Sequence, residues 1–276
     1  MHFNPSPLVK KIHSLAIPVG LITLIASTGC GVSPHSALPQ NSAPSVAAVA
    51  AKATGSATPK VLLFTGTGTS SGDVAAVKTI LNDLNLSYAT ASSSQLDGMS
   101  QSELTSYKLF LMPGGDAVTI GANLSDSATS NVRGAIENGG LHYLGICAGG
   151  FFADQSIYNY LHLTGVLFNF YADYNRGITK EAVEVSQPNG TKLDQYWQEG
   201  PELDGWGNVV GRYPDGTAAI VEGYSGKGWV ILSGVHPEAP ESWRSGMSFS
   251  TSASTDNAYA ETLVNAALNG TSLPHF

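Results

Sequence analysis

The sequence predicts an α/β domain with a mostly parallel central sheet, helices on both faces and a small antiparallel extension. Three observations carry this. Short apolar runs of strand length alternate with segments of helical period, the pattern of strands joined by helical crossovers. One of these runs, 141–146, ends at a glycine-flanked corner that opens a helix, as chains do at the carboxyl edge of an open parallel sheet. Downstream of residue 180 the pattern changes to short strands and tight turns, with no helical segment between them.

The elements follow in order. Residues 60–64 are an apolar strand, then a glycine-rich loop (65–72) leads into a helix with Val74, Val77, Leu81 and Leu84 on one face. The loop is a turn into a helix rather than a nucleotide cradle, because the third glycine of Gly-x-Gly-x-x-Gly falls on Ser71 and no Gly-Lys-Ser/Thr follows. A second strand is expected near 87–90, and a polar helical segment through Leu96, Met99 and Leu104. The third strand, 109–112, turns at Pro113-Gly114-Gly115-Asp116. Residues 131–138 continue a helix with Val132, Ala135 and Ile136 inward, closed by Gly139-Gly140. After the central strand, 181–185, 192–197 and 209–213 read as strands, and 218–224 with 227–232 as a hairpin about Ser225-Gly226. Residues 256–268 close the chain as a helix with Tyr259, Leu263 and Ala267 facing the sheet.

Two stretches carry chemistry. Leu141-His142-Tyr143-Leu144-Gly145-Ile146-Cys147-Ala148-Gly149-Gly150 places Cys147 at a strand-to-helix corner, where neighbours without a Cβ let the turn close and the side chain protrude. A thiol at a helix N-terminus is biased towards the thiolate, the reactive form. The second stretch, Gly228-Trp229-Val230-Ile231-Leu232-Ser233-Gly234-Val235-His236-Pro237-Glu238, delivers an imidazole and then a carboxylate two residues on. In extended chain such a pair points the same way, about 6.5 to 7 Å apart. The carboxylate can hold one ring nitrogen and leave the other for a thiol. A lone cysteine in an apolar run is otherwise a core residue; the distant His-x-Glu is what favours a nucleophile.

Gly-Ile-Cys-Ala-Gly-Gly followed by His-Pro-Glu resembles the class I glutamine amidotransferase-like superfamily, and within it the family named after the N-terminal domain of biotin-protein ligase. The resemblance runs from Pro59 to the C-terminus and implies a flavodoxin-like fold with Cys147 as nucleophile, His236 as base and Glu238 as its orienting group. It also implies an oxyanion hole built from the N–H groups of Gly115 and Ala148. Gly114 and the stretch holding Tyr196, Glu199, Gly200 and Pro201 are the implied pocket walls. Two positions depart from the pattern: Phe151 stands four residues after the nucleophile, where glutamine-hydrolysing members carry glutamine, and Ala148 stands where leucine is common.

The N-terminal part has another character. Lys10, Lys11 and His13 precede an apolar segment (15–26) and Ser27-Thr28-Gly29-Cys30, the plan of an export signal too short to span a membrane stably. Cys30 resembles the lipidated cysteine of bacterial lipoproteins, although Ser27 stands where leucine is usual. The expected division is a signal peptide (1–29), a lipidated Cys30 with a Ser/Ala/Pro-rich tether (30–58) and the folded domain (59–276). The expected location is the cell envelope, and with Gly31 after the cysteine, the outer membrane facing the periplasm if the host is Gram-negative.

Composition limits the partners. The chain has 2 cysteines, so once Cys30 is lipidated no disulfide scaffold is available. Net charge is −8, and removal of Lys10 and Lys11 with the signal makes it more negative, which excludes nucleic acid as a partner. His142 and His162 have no cysteine or carboxylate at ligand spacing and read as structural, so no metal and no cofactor is expected. The sequence therefore points to an exported, lipid-anchored thiol hydrolase or amidase acting on a small-molecule or peptide-like substrate. The alternative is a cell-envelope binding protein that keeps the pocket without turnover.

Overall fold

Strands that are apolar on both faces have to be covered on both sides, and the chain supplies a helical layer for each. The computed structural model describes residues 59–276; the expected signal peptide, Cys30 and tether lie outside the described residues. β1 (Val61–Phe64), β2 (Tyr88–Ala91), β3 (Leu109–Met112), β4 (His142–Ile146) and β11 (Gly228–Ser233) pair in parallel in the order β2-β1-β3-β4-β11. The same sheet continues antiparallel through β10 (Ala218–Ser225), β9 (Asn208–Arg212), β6 (Lys180–Ser186) and β7 (Lys192–Gln198). The extension is thus built onto the parallel strands as one nine-stranded sheet. A separate short ladder joins β5 (Asn169–Phe170) to β8 (Pro201–Glu202).

Alternation along the strands sorts the core into two halves. Phe64, Phe110, Met112 and Tyr143 face one side, where they meet Leu96 of α2 (Ser93–Asp97), Leu104 of α3 (Gln101–Leu104) and Val132 and Ile136 of α5 (Asp126–Glu137). Leu63, Leu111, Leu144 and Ile146 face the other, against Val77 and Ile80 of α1 (Ser71–Asp83) and Leu263 and Val264 of α7 (Ala253–Asn269). Among the described residues, no helix is long and apolar enough to cross a membrane.

Helix starts are set by caps that hydrophobic period does not reveal. Ser92 and Ser100 each accept from the third helical amide while Gln95 and Glu103 reach back to the cap amide, and these boxes start two short helices in the polar stretch, 93–97 and 101–104. Ser125 and Ser252 cap α5 and α7, which therefore begin five and three positions earlier than periodicity alone suggests. α4 (Ala117–Ala122), capped by Asp116, follows the Pro-Gly-Gly turn as a separate helix.

This topology gathers the chemistry at one edge. The carboxyl ends of β1, β3, β4 and β11 lead respectively to Asp73, to Gly114 and Gly115, to Cys147 and to His236, where open α/β sheets place their sites.

Candidate active site

Cys147 sits at φ 50°, ψ −105°, a conformation that a residue with a Cβ adopts only when its surroundings impose it. Its amide donates to the Ser233 carbonyl (2.7 Å), fixing the corner to the end of β11, and its own carbonyl accepts from Gly150 and Phe151 (2.8 and 3.2 Å). α6 (Ala148–Phe151) then lies so close to β3 that a Cβ on Gly149 would come within 2.2 Å of the Met112 carbonyl oxygen, so only glycine fits there. The expected helix after the corner is a single turn. A run that short gives little macrodipole at the sulfur. The thiol donates to the Gln198 carbonyl at 3.5 Å.

Although buried, Cys147 lines a cavity of about 880 Å³ together with Asp73, Gly115, Ala148, Tyr196 and His236. The amides of Gly115 and Ala148 have no backbone acceptor among the described residues. Ala148 opens α6, where the helix itself offers its N–H no partner. Tyr196 and Glu199 of the expected wall line the cavity. Gly200 and Pro201 do not line it. They pack behind it, where a Cβ on Gly200 would lie 1.9 Å from the Gly234 carbonyl oxygen and Pro201 pairs with Phe170. Gly114 also stands behind the wall, and a Cβ there would meet Asp73 Oδ1 at 2.0 Å and His236 Cε1 at 2.8 Å. Its lack of a side chain is what lets those two groups approach each other.

His236 is held by backbone and rings. Its amide donates to the Tyr196 carbonyl (2.8 Å), and its imidazole lies edge-on to Tyr196 and Trp243, with centroids 5.7 and 5.8 Å away. Nδ1 is 3.0 Å from Glu238 Oε1, a hydrogen bond, and 3.1 Å from Asp73 Oδ1. Burial pulls the His236 pKa down, but the charges of Cys147 and Glu238 and hydrogen bonding to Asp73 and Cys147 together hold it well above the ordinary histidine value. The two carboxyl groups move in opposite directions. Burial raises Glu238 more than His236 lowers it, whereas for Asp73 the effect of burial is outweighed by the hydrogen bond and charge of His236, leaving it below its usual value.

Asp73 is the residue that sequence reasoning missed. An acid in the first turn after Ser70, the N-cap of α1, reads as an ordinary complement to the helix dipole, and nothing local shows that the turn faces His236. Asp73, His236 and Glu238 also bring ligand-capable atoms within 4.8 Å of one another, the one such convergence among the described residues. With two carboxylates and an imidazole nitrogen it is the place where a metal ion could sit; a proton on Nδ1 serves the same acceptors. His142 Nδ1 pairs with the Ala267 carbonyl (2.6 Å) and His162 Nε2 with that of Ser156 (2.9 Å), ties within the fold. Phe151 lines the cavity with its ring 4.9 Å from that of Phe170, which stacks on Tyr174, so this position offers an aromatic face in place of a side-chain amide.

Residues 59–166 match the family described as "Biotin-protein ligase, N terminal". The matched stretch contains Asp73, Gly114, Gly115 and Cys147 and ends before His236 and Glu238. No curated protein matches the chain. Among solved structures, a glutamine amidotransferase is similar at 21% identity and a TM-score of 0.51, over 65% of this chain and 90% of that one. A candidate GMP synthase component from Thermoplasma acidophilum is similar at 12% identity and TM-score 0.52, over 77% and 96% of the two chains. An exo-β-1,4-mannosidase from an Opitutaceae bacterium (strain TAV5) is similar at 13% identity and TM-score 0.50, over 76% of this chain but 36% of the enzyme. Neighbours of such different chemistry share a framework and not a reaction. Residues 59–166 thus match the biotin-protein ligase N-terminal family, and the described chain has a glutamine amidotransferase-like, flavodoxin-like α/β fold with a parallel core and an antiparallel extension.

Proposed function

We propose that the protein is a thiol hydrolase or amidase that cleaves a carboxamide, ester or peptide-like bond through an acyl-enzyme. In this reading the Cys147 thiolate attacks the carbonyl carbon, and the oxyanion is held by the amides of Gly115 and Ala148. His236⁺ gives its proton to the departing amine or alkoxide. Water, deprotonated by His236, then attacks the thioester, releasing the acid and the free thiol. The observation that carries the proposal is the convergence, in one cavity, of a cysteine on a strained corner with an imidazole whose Nδ1 is held by carboxylate.

The test is to incubate the protein with p-nitrophenyl acetate and look for an acetyl adduct on Cys147 by mass spectrometry. An adduct that forms, turns over and is lost in Cys147→Ala supports the hydrolase. Rapid alkylation of the thiol with no acyl adduct from any ester or amide would favour a binding protein on the same framework. Free glutamine should be a poor substrate, because Phe151 presents a ring where a side-chain amide would be needed. Ammonia release should stay at background, and brisk Cys147-dependent glutaminase activity would restore an amidotransferase reading.

We further propose that the protein is exported and lipid-anchored through Cys30, which is supported by the small residues before that cysteine and the uncharged tether after it. Cys30→Ala should abolish fatty-acid labelling and membrane retention in a bacterial host. Unchanged labelling would rule the anchor out.

A further inference from the structure

The cavity that holds Cys147, at about 880 Å³, is far larger than one amide or ester group needs, and part of its wall is apolar. Of the eight large apolar side chains exposed among the described residues, four line this cavity: Val118 (44%), Tyr158 (48%), Leu167 (64%) and Phe170 (40%). The Phe170 ring lies between that of Phe151, which also lines the cavity, and that of Tyr174, with centroids 4.9 and 4.2 Å away. Exposed apolar side chains are ordinary when scattered singly. Gathered on one concave surface beside a nucleophile, they form a place for an apolar ligand group.

The backbone holds this wall in place. Apart from Val118 of α4, its side chains come from 151–174, the stretch that follows the nucleophile. Within that stretch Leu161 and Leu163 donate to the carbonyls of Phe152 and Ala153 (2.9 and 2.8 Å), and Gln155 donates to that of Val166 (2.8 Å). Asp154 accepts from the amides of Ser156 and Phe168 (2.7 and 3.3 Å), and β5 is paired with β8. Rings fixed in this way cost little ordering when a ligand arrives. The chemistry of the wall narrows the ligand. A carbohydrate needs a partner for each hydroxyl it buries, and Val118 and Leu167 have none to give. Apart from His236, Lys180 is the one cation among the described lining residues, against Asp116, Asp154 and Glu199, so an anionic group meets no surplus of positive charge. The acids are not free for a cation either: Asp154 is held as above, and Asp116 accepts from the Thr119 amide (2.7 Å).

His236 gives its proton to the departing atom in the reaction proposed above, so it marks the leaving-group side, and its ring neighbours are Tyr196 and Trp243. Among the described residues, the rings of 151–174 pair with none of these three. The apolar wall is thus separate from the leaving-group side, and the other end of the substrate is its acyl part. We propose that this wall is an acyl subsite, and that the substrate is an amide or ester whose acyl part carries a bulky, uncharged apolar group such as a phenyl ring. The direction assigned to the substrate rests on the Cys147–His236 hydrolase reading, but occupancy of the wall does not require turnover.

The experiment measures protection of Cys147 from iodoacetamide in the full-length protein at pH 7, read on the Cys147 peptide by mass spectrometry. The protecting ligands are the N-acetyl amides of phenylalanine, glycine, glutamate and lysine. The phenylalanine amide should half-protect at a concentration about tenfold or more below the other three, the scale of burying one apolar side chain. Leu167→Ser and Phe170→Ala should each narrow that preference by about threefold, whereas Tyr224→Ala, which removes an exposed ring outside the cavity, should leave it unchanged. Should Phe170→Ala fail to fold, Leu167→Ser decides alone, since that side chain is the more exposed. Stronger protection by the glutamate or lysine amide overturns the proposal, because charge would then select the ligand. Equal protection by the glycine amide, or no protection by any of the four, overturns it too. So does a preference that survives the wall variants or falls equally in Tyr224→Ala. Protection selective for phenylalanine without any acyl adduct would refute the hydrolase and leave the subsite standing. Turnover of p-nitrophenyl acetate with no side-chain preference would refute the subsite and leave the hydrolase standing.

Discussion

His236→Ala should slow alkylation of Cys147 by iodoacetamide at pH 6 by about ten- to a hundredfold. The imidazole lines the same cavity as the sulfur, and the charges of Cys147 and Glu238 hold its pKa above the ordinary histidine value against the pull of burial, which favours a cation beside the sulfur. Loss of an opposite charge beside a nucleophile that reacts as its anion is worth about one to two factors of ten in rate. The difference between the wild type and His236→Ala should be widest at the acid end of the range from pH 6 to 8, where an unassisted thiol, with an ordinary pKa of about 8.5, carries least thiolate. Glu238→Gln should do less damage, since the base and its cation remain. If Cys147 labelled only after denaturation, and Cys147→Ala lost several kcal/mol of stability, the residue would be packing and the site would not exist.

Arg244→Met should be the most destabilising single change away from the cavity floor, at about 3 to 5 kcal/mol, the usual cost of removing one partner of a buried ion pair. Arg244 is buried with Asp256, donates to it through Nη2 and to the Thr251 carbonyl through Nη1 (2.7 Å), and lies 4.1 Å over the Phe249 ring. The pair ties the turn 241–244 to the start of α7. Burial already raises the Asp256 carboxyl, with Arg244 opposing; without the guanidinium its folded-state pKa rises further. An acid whose folded pKa exceeds its unfolded value is penalised least below the unfolded value, near pH 4, and progressively more as pH rises. The stability deficit should thus be small at acid pH and full at pH 7, where thermal unfolding should fall by about 10 °C. The double change Arg244→Met with Asp256→Leu should recover most of the loss, because a buried pair can be replaced by apolar packing at little net cost. A single variant that unfolds like the wild type would show that the pair contributes nothing. Trp243 packs edge-on to His236, so the same change should also slow Cys147 alkylation.

What could be read from the sequence was whatever neighbours along the chain decide. Strands such as Val61–Phe64 and Leu109–Met112 are apolar at every position, which only a two-sided core accommodates. The corner at Cys147 is written in Gly145 and Gly149, because close approach of backbones leaves no room for a Cβ. His236 and Glu238 do meet as their close spacing suggests, but through a turn closed by the Ala239 amide on the His236 carbonyl (3.1 Å) and not through extended chain. Tertiary structure alone decided the rest. Pairing of β9 with β6 passes through one residue pair, Ser186 with Arg212, too little for any local pattern to announce, and so the extension's continuity with the sheet was not legible. Gly200 and Pro201 sit in a stretch that reads as a wall, yet β8 turns them towards the Gly234 backbone and Phe170. Asp73 looks in the sequence like any acid at a helix start. It reaches His236 because β1, β3, β4 and β11 lie side by side in parallel, so that their following loops converge at one edge, and because Gly114 leaves space between them. The sequence names the groups that local geometry brings together; a group delivered by a distant loop is known only once the order of the strands is.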